Sequence, residues 1–305
     1  MKHRILLAAM VCAIGTAAPS LVEAQLNVVA TVPDLAAIAN AVGGDLVEVQ
    51  TLASARQDPH FVDARPSYIV ALNGADALLI NGLELEVGWL PSLQSSARNS
   101  AINVGGRGYF DASSYVQLMG VPATLDRSRG DVHPGGNPHF LASPVAAAAV
   151  ATALGEHFAA LDPTNAEAFR QSAEAFSTEL TAFATEQRAR FDALPANHRR
   201  FVAYHDSLSY LADWLGLEQI ATVEPLPGVS PSPGHIAEVL TAMRSGDVKV
   251  IIQEEYYPTN SSQTLAELAS GQVVVVKGGT RFDESQTYLD RVQELADSLY
   301  TALSE

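Results

Sequence analysis

Three of the chain's eight histidines stand where a proline or a short apolar run hands over to a loop: His60 in QDPHF, His139 in NPHF and His205 in FVAYHDS. Neutral imidazole suits Zn²⁺ and other borderline divalent metals, and three such ligands leave room for a carboxylate or water in a tetrahedral shell. Together they predict a metal site assembled from distant loops. The prolines before His60 and His139 restrict the loop backbone and lower the entropy lost when a ligand is ordered. His205 ends a predicted strand and is followed by Asp206, a candidate for orienting the ring through an imidazole N–H. A single loop histidine is most often a surface or capping residue, so the joint pattern carries the expectation. The remaining histidines fit less well. His157 and His235 fall on amphipathic helical patterns and read as surface residues, while His198 sits beside Arg199 and Arg200, a poor setting for a cation. His133 shares a loop with Asp126 and Asp131 and reads either as a transient metal-capturing group or as a bystander.

The first segment sets the compartment. Lys2 and Arg4 precede an apolar stretch over 5–14, and Val22-Glu23-Ala24 offers small residues before Gln25, so 1–24 reads as an export signal. The stretch is too short to span a bilayer, and no later segment approaches twenty uninterrupted apolar residues. A soluble periplasmic protein is expected. Cys12 follows Met10 and Val11 where a lipidated cysteine needs a small neighbour, so no anchor is expected. It is also the only cysteine, which leaves the mature chain nitrogen and oxygen ligands alone. With 48% hydrophobic residues among 305 and a formal charge of −16, the chain has core enough for two domains. The same charge disfavours nucleic acid and anionic membranes as partners.

The elements that must position the histidines alternate. Strand patterns at 26–31 (LNVVAT), 46–52, 77–80 and 101–104 are interleaved with helices at 32–42, 67–73 and near 86–90. Such alternation argues for a parallel sheet with helices on both faces, whose ligands sit at the carboxyl ends of the strands. The stretch 125–137, rich in Gly, Pro and charge, reads as a mobile loop. Ser143-Pro144 opens an Ala-rich helix to about 160, and Asp162-Pro163-Thr164 opens a run of roughly thirty residues, which as a helix would reach roughly 45 Å and joins two lobes. Strands at 200–204, 220–223, 248–253 and 273–276 then alternate with helices at 207–215, 234–245, 261–269 and 284–303. The predicted fold is α/β: two lobes, each a parallel four-stranded sheet flanked by helices, joined by one long linker helix. Their bounds are 25–161, 162–195 for the linker, and 196–305.

Several short motifs, in order, carry a resemblance. Asp58-Pro59-His60, Arg65-Pro66-Ser67, Ala75-Asp76-Ala77, and Asn81-Gly82-Leu83 with Glu86 and Trp89-Leu90 are followed by Asn137-Pro138-His139-Phe140. Asp162-Pro163-Thr164-Asn165, Tyr204-His205-Asp206-Ser207 and Tyr288-Leu289-Asp290 complete the series. The mature chain thus resembles the zinc- and manganese-binding solute receptors of ABC importers, the ZnuA- and TroA-like group. The resemblance implies a non-enzymatic, monomeric receptor that holds Zn²⁺, with Mn²⁺ as the alternative cargo, in a cleft between lobes. It implies delivery to a cognate ABC permease in the inner membrane, with a periplasmic metal-donor protein as a further partner. His60 and His139 become first-lobe ligands and His205 a second-lobe ligand. Histidine rather than glutamate at 205 tilts the implied metal toward zinc.

Two features depart from that pattern. The family's aspartate ligand follows the last strand, but here Lys277-Gly278-Gly279-Thr280 follows it and the first acid is Asp283. Asp283 is the expected fourth ligand, with a helix-capping role as its alternative, and Glu254 or water as substitutes in the shell. The loop before His139 is short and holds only His133, where zinc-specific relatives often carry a long His- and acid-rich insert. Two rival readings are an exported zinc hydrolase and a surface adhesin. The chain carries neither HExxH nor GxSxG, which counts against hydrolysis, and it has no anchor signal for adhesion.

Overall fold

The computed structural model describes residues 25–122, 133–226 and 228–305. The expected export signal and the loop acids Asp126 and Asp131 lie outside the described residues. The first sheet contains β1 (Leu26–Ala30), β2 (Val47–Thr51), β3 (Ala77–Ile80) and β4 (Tyr109–Asp111), all parallel, in the order β2-β1-β3-β4. All four residues of β3 are buried, as a strand covered on both faces requires. Helices α1 (Pro33–Gly43), α2 (Pro66–Asn73) and α3 (Leu90–Ala97) each begin with proline in the first turn, where its missing N–H costs nothing.

The second sheet repeats the plan with β5 (Arg200–Ala203), β6 (Glu218–Thr222), β7 (Val250–Glu254) and β8 (Gln272–Val276), ordered β6-β5-β7-β8 and again parallel. Between the sheets run α4 (Pro144–Leu161) and α5 (Ala166–Asp192). Helix α4 is apolar enough by composition to cross a membrane, but half of it is buried inside the protein. Its close packing on α5 depends on Gly155, where a Cβ would come within 2.5 Å of the Ala173 Cβ. Helix α5 starts at Ala166 because Asp162 accepts the Thr164 N–H and holds the preceding residues in a turn. Its Phe169, Ala173 and Leu180 belong to the first core, and its Ala184 and Phe191 to the second.

The second lobe is completed by α6 (Ser209–Leu215), α7 (Pro233–Gly246), α8 (Asn260–Ala269) and α9 (Tyr288–Ser304). Helix α9 also crosses between the cores, placing Tyr288 and Val292 in the first and Leu295 and Leu299 in the second. The long helix α5 joins the lobes along the chain, as the sequence predicts, and α9 packs against both cores without connecting them.

Three local expectations are corrected. Residues 101–104 are not the fourth strand: Asn99 caps a 3₁₀ turn at Ser100–Ile102 by accepting the Ala101 N–H, and the strand forms later, where Phe110 can be buried. The helix expected near 86–90 begins at Leu90, after a turn in which Leu83 and Glu84 take left-handed φ values of 55° and 63°. The last helix begins at Tyr288, capped by a reciprocal Thr287–Asp290 pair. Asp283 sits earlier, in a separate 3₁₀ turn at Phe282–Glu284, and is not the cap.

Candidate metal centre

His60 lies in the turn after β2. There the Asp58 carboxylate accepts both the His60 backbone N–H (3.0 Å) and the ring Nδ1–H (2.6 Å), so one side chain fixes the loop and the ring. Trp89 Nε1 donates to the Pro59 carbonyl at 3.0 Å and ties this loop to the lobe. His139 is placed through its backbone: Asn137 Oδ1 accepts its N–H at 2.9 Å, and Asn81, at the end of β3, donates to the Pro138 carbonyl at 2.8 Å. His205 leaves the end of β5, beside the point where strand order reverses between β5 and β7, the usual ligand position in such sheets. Its Nδ1–H donates to Glu224 Oε2 at 2.8 Å.

The structure brings one ligand atom from each of His60, His139 and His205 within 4.8 Å of one another. His139 Nε2 and His205 Nε2 are 3.2 Å apart across the lobe boundary. A carboxylate only accepts, so Asp58 and Glu224 fix the Nδ1–H tautomer of His60 and His205 and leave each Nε2 lone pair facing the cluster. His133 Nδ1 likewise meets the Leu83 carbonyl at 2.8 Å, and its Nε2 stands 3.2 Å from His60 Nε2.

Burial, reinforced by the neighbouring imidazoles, pushes the His139 pKa well below its ordinary value and keeps that ring neutral. At His205 burial acts in the same direction, but the Glu224 hydrogen bond and charge outweigh it and raise the pKa. Burial would raise the Asp58 carboxyl, and the His60 contacts overcome this and lower it, so Asp58 is ionised.

The expected fourth ligand is elsewhere. Asp283 is 60% exposed in its side chain and pairs with Arg56 at 2.9 Å; it is not in the histidine cluster. The glycines after β8 direct the chain toward the first lobe, where a Cβ on Gly278 would come within 2.8 Å of the Ala55 carbonyl. Glu254 is buried and accepts from Ser207, and burial raises its carboxyl. Asp206, expected to orient His205, instead accepts from Ser209 (2.5 Å), Gln219 (2.9 Å) and Asn137. Glu224 has that role, and the sequence reading missed it. The available signal was position: Glu224 follows β6, the neighbour of β5 in a parallel sheet, so the carboxyl ends of the two strands adjoin. Of the histidines set aside, His157 is not a surface residue: it packs against Phe110 and Phe158 with ring centroids at 5.2 and 6.4 Å.

Contacts across the lobes surround the site. Asp34 of α1 accepts from Thr280 N (2.8 Å) and Oγ1 (2.6 Å) and pairs with Arg291 of α9 at 3.2 Å. Asn137 donates to the Asp206 carbonyl at 2.6 Å, and Tyr210 accepts the Met119 N–H at 2.9 Å. The cavity beside His139 is about 70 Å³ and is lined by Asp34, Asn81, Ser207, Glu254 and Arg291.

Residues 28–302 match the family model described as the periplasmic component A of the zinc-uptake complex. The chain is 24% identical over 288 residues to the high-affinity zinc uptake system protein ZnuA of Bacillus subtilis, covering 92% of this chain and 88% of that protein. It is 23% identical over 266 residues to the manganese ABC transporter substrate-binding lipoprotein PsaA of Streptococcus pneumoniae, covering 86% and 82%. A zinc-bound ZnuA deletion mutant superposes with a TM-score of 0.78 at 23% identity, over 92% of this chain and 99% of that one, and so shares its fold. The chain belongs to the family of the periplasmic component of zinc-uptake complexes.

Proposed function

We propose that this chain is the exported substrate receptor of a zinc importer, which captures Zn²⁺ between its lobes with His60, His139 and His205 and delivers it to an ABC permease. The observation that carries the proposal is the meeting of a second-lobe imidazole with two first-lobe imidazoles, all within 4.8 Å. His60 and His139 form the first landing point, and His205 adds to it when the lobes are together, so the metal favours the closed arrangement through its differential coordination. The all-imidazole set supports zinc over manganese, which prefers oxygen ligands. ZnuA and PsaA are named for different metals, and the donor set is what distinguishes the two readings. The cavity beside His139, about 70 Å³, is small against the about 300–1,000 Å³ that organic ligands occupy, which counts against the hydrolase alternative.

Chelator-competition titration of the exported protein with Zn²⁺ and Mn²⁺ tests this. His60→Ala, His139→Ala and His205→Ala should each weaken zinc by more than the roughly 10- to 100-fold that loss of a mere orienting partner costs. Unchanged zinc affinity in all three would refute the site, and tighter binding of Mn²⁺ than Zn²⁺ would transfer the protein to manganese.

A further inference from the structure

We propose that His133 is the fourth metal ligand, so that the site is a shell of four imidazole nitrogens. The inference rests on the receptor reading above and assigns the position that Asp283 leaves open.

Two nitrogens bound to one tetrahedral Zn²⁺ at about 2.0–2.1 Å lie about 3.3 Å apart. Two such separations are present: 3.2 Å between His60 and His133 Nε2, and 3.2 Å between His139 and His205 Nε2. They share no atom, as opposite edges of a tetrahedron must. The His60 ligand atom is already within 4.8 Å of those of His139 and His205; His133 lies outside that group and touches it through His60, so its side chain must move inward when a metal is bound.

The protonation pattern points the same way. The Leu83 carbonyl can only accept, so it fixes a proton on His133 Nδ1 and turns the Nε2 lone pair toward His60. Asp58 does the same for His60. With both Nδ1 atoms engaged, the two Nε2 atoms face each other at 3.2 Å, a separation that a metal ion bound to both, or a proton shared between them, bridges. The carbonyl that orients His133 belongs to the turn in which Leu83 and Glu84 hold left-handed φ values of 55° and 63°. Non-glycine residues adopt that region at a cost, and such strain gathers at binding sites. Of the carboxylates considered for the position, Asp283 is paired with Arg56, and Glu254 accepts from Ser207 through Oε1 and lies outside the histidine group. A fourth neutral nitrogen would also strengthen discrimination against Mn²⁺.

The test is to load full-length exported protein, labelled with ¹⁵N-histidine, with ¹¹³Cd²⁺ and to count the imidazole nitrogens coupled to the metal. Four couplings are expected, falling to three in His133→Gln, with zinc affinity reduced about 10- to 100-fold or more. Three couplings in the unsubstituted protein, all kept in His133→Gln, would overturn the inference and leave the receptor reading intact. Absence of any coupling, with zinc binding indifferent to His139→Ala, would instead overturn the receptor reading itself.

Discussion

Glu224→Gln removes one charge from the site without removing a metal ligand, and its consequences at high and low pH differ in kind. In the native protein the carboxylate is 8% exposed and its Oε2 accepts from His205 Nδ1 at 2.8 Å. Two effects follow from neutralising it. The imidazole loses a partner that fixes its tautomer and increases its basicity toward the metal, which typically costs 10- to 100-fold in affinity, or about 1.4–2.8 kcal/mol. The second effect concerns the proton. Burial alone would lower the His205 pKa, and it is Glu224 that reverses this and lifts it above the ordinary value. A raised pKa means that protons begin to displace metal from His205 at a pH above about 6.5. Without the charge, burial is opposed only by the smaller effects of Glu254 and Asp58, the pKa falls, and proton competition retreats to lower pH. The variant should therefore bind zinc more weakly on the alkaline plateau, near pH 8, yet lose less affinity per pH unit on the way to pH 6. Competition titrations at several pH values measure both quantities. Equal plateau affinities and parallel pH profiles would refute the role given to Glu224.

Three further outcomes are expected. Asp283→Asn should leave zinc affinity unchanged, because the carboxylate pairs with Arg56 in an exposed position; a tenfold loss in the competition assay would return Asp283 to the metal shell. Gly155→Ala should destabilise the protein by about 1–3 kcal/mol in urea denaturation, since the new Cβ would meet the Ala173 Cβ at 2.5 Å and the Phe169 carbonyl at 3.1 Å; an unchanged midpoint would refute the tight α4–α5 contact. Burial lowers the His157 pKa, so below about pH 6.5 the unfolded chain takes up a proton that the fold refuses. Metal-free stability should then fall with falling pH, and His157→Gln should make that fall shallower by up to about 1.4 kcal/mol per pH unit; identical slopes would show that His157 is accessible to protons in the fold.

What could be read from the sequence divides along physical lines. Strands such as Ala77–Ile80, buried along their whole length, and helices opened by Ser143-Pro144 or Val32-Pro33 declare themselves through local pattern and backbone restriction. The strand Tyr109–Asp111 does not, because three residues show no period, and only pairing with β3 makes it a strand. At the site, the three histidines that meet, His60, His139 and His205, stood out because few residue types can hold a borderline metal, and because loops after strands converge in a parallel sheet. Neither of their orienting partners was read from the sequence. Asp58 is two residues from His60 and within its motif, whereas Glu224 is 19 positions from His205 and is brought beside it by strand pairing. Asp206 was the nearer acid in sequence, but its carboxylate is engaged by Ser209 and Gln219. His133 presents the same difficulty: nothing in the spacing of a Gly- and Pro-rich loop reveals that it reaches His60 while bonded to Leu83.

The placement of charge around the cluster bears on which metal it selects. The two carboxylates closest to the imidazoles, those of Asp58 and Glu224, contact the outer Nδ1 atoms and leave the inward Nε2 atoms to the cation. Two negative charges in the second layer can balance a divalent ion in a site where His60 and His205 are only 7% and 5% exposed, without placing an oxygen in the first layer. Zn²⁺ and Mn²⁺ carry the same charge and gain alike from this compensation, so it sets affinity for divalent ions in general and does not separate them. Separation falls to the donor atoms. Neutral nitrogens favour the ion that stands later in the divalent series, and a hard ion loses the oxygen contacts it keeps in water. Moving a carboxylate inward should therefore change selectivity where removing one from the outer layer changes affinity. His205→Glu is expected to narrow the preference for Zn²⁺ over Mn²⁺, and Glu224→Gln to weaken both metals by similar factors. Parallel competition titrations with the two ions distinguish these effects. A Glu224→Gln protein that lost zinc but kept manganese would show that the outer carboxylate acts on metal choice and would refute this division of roles.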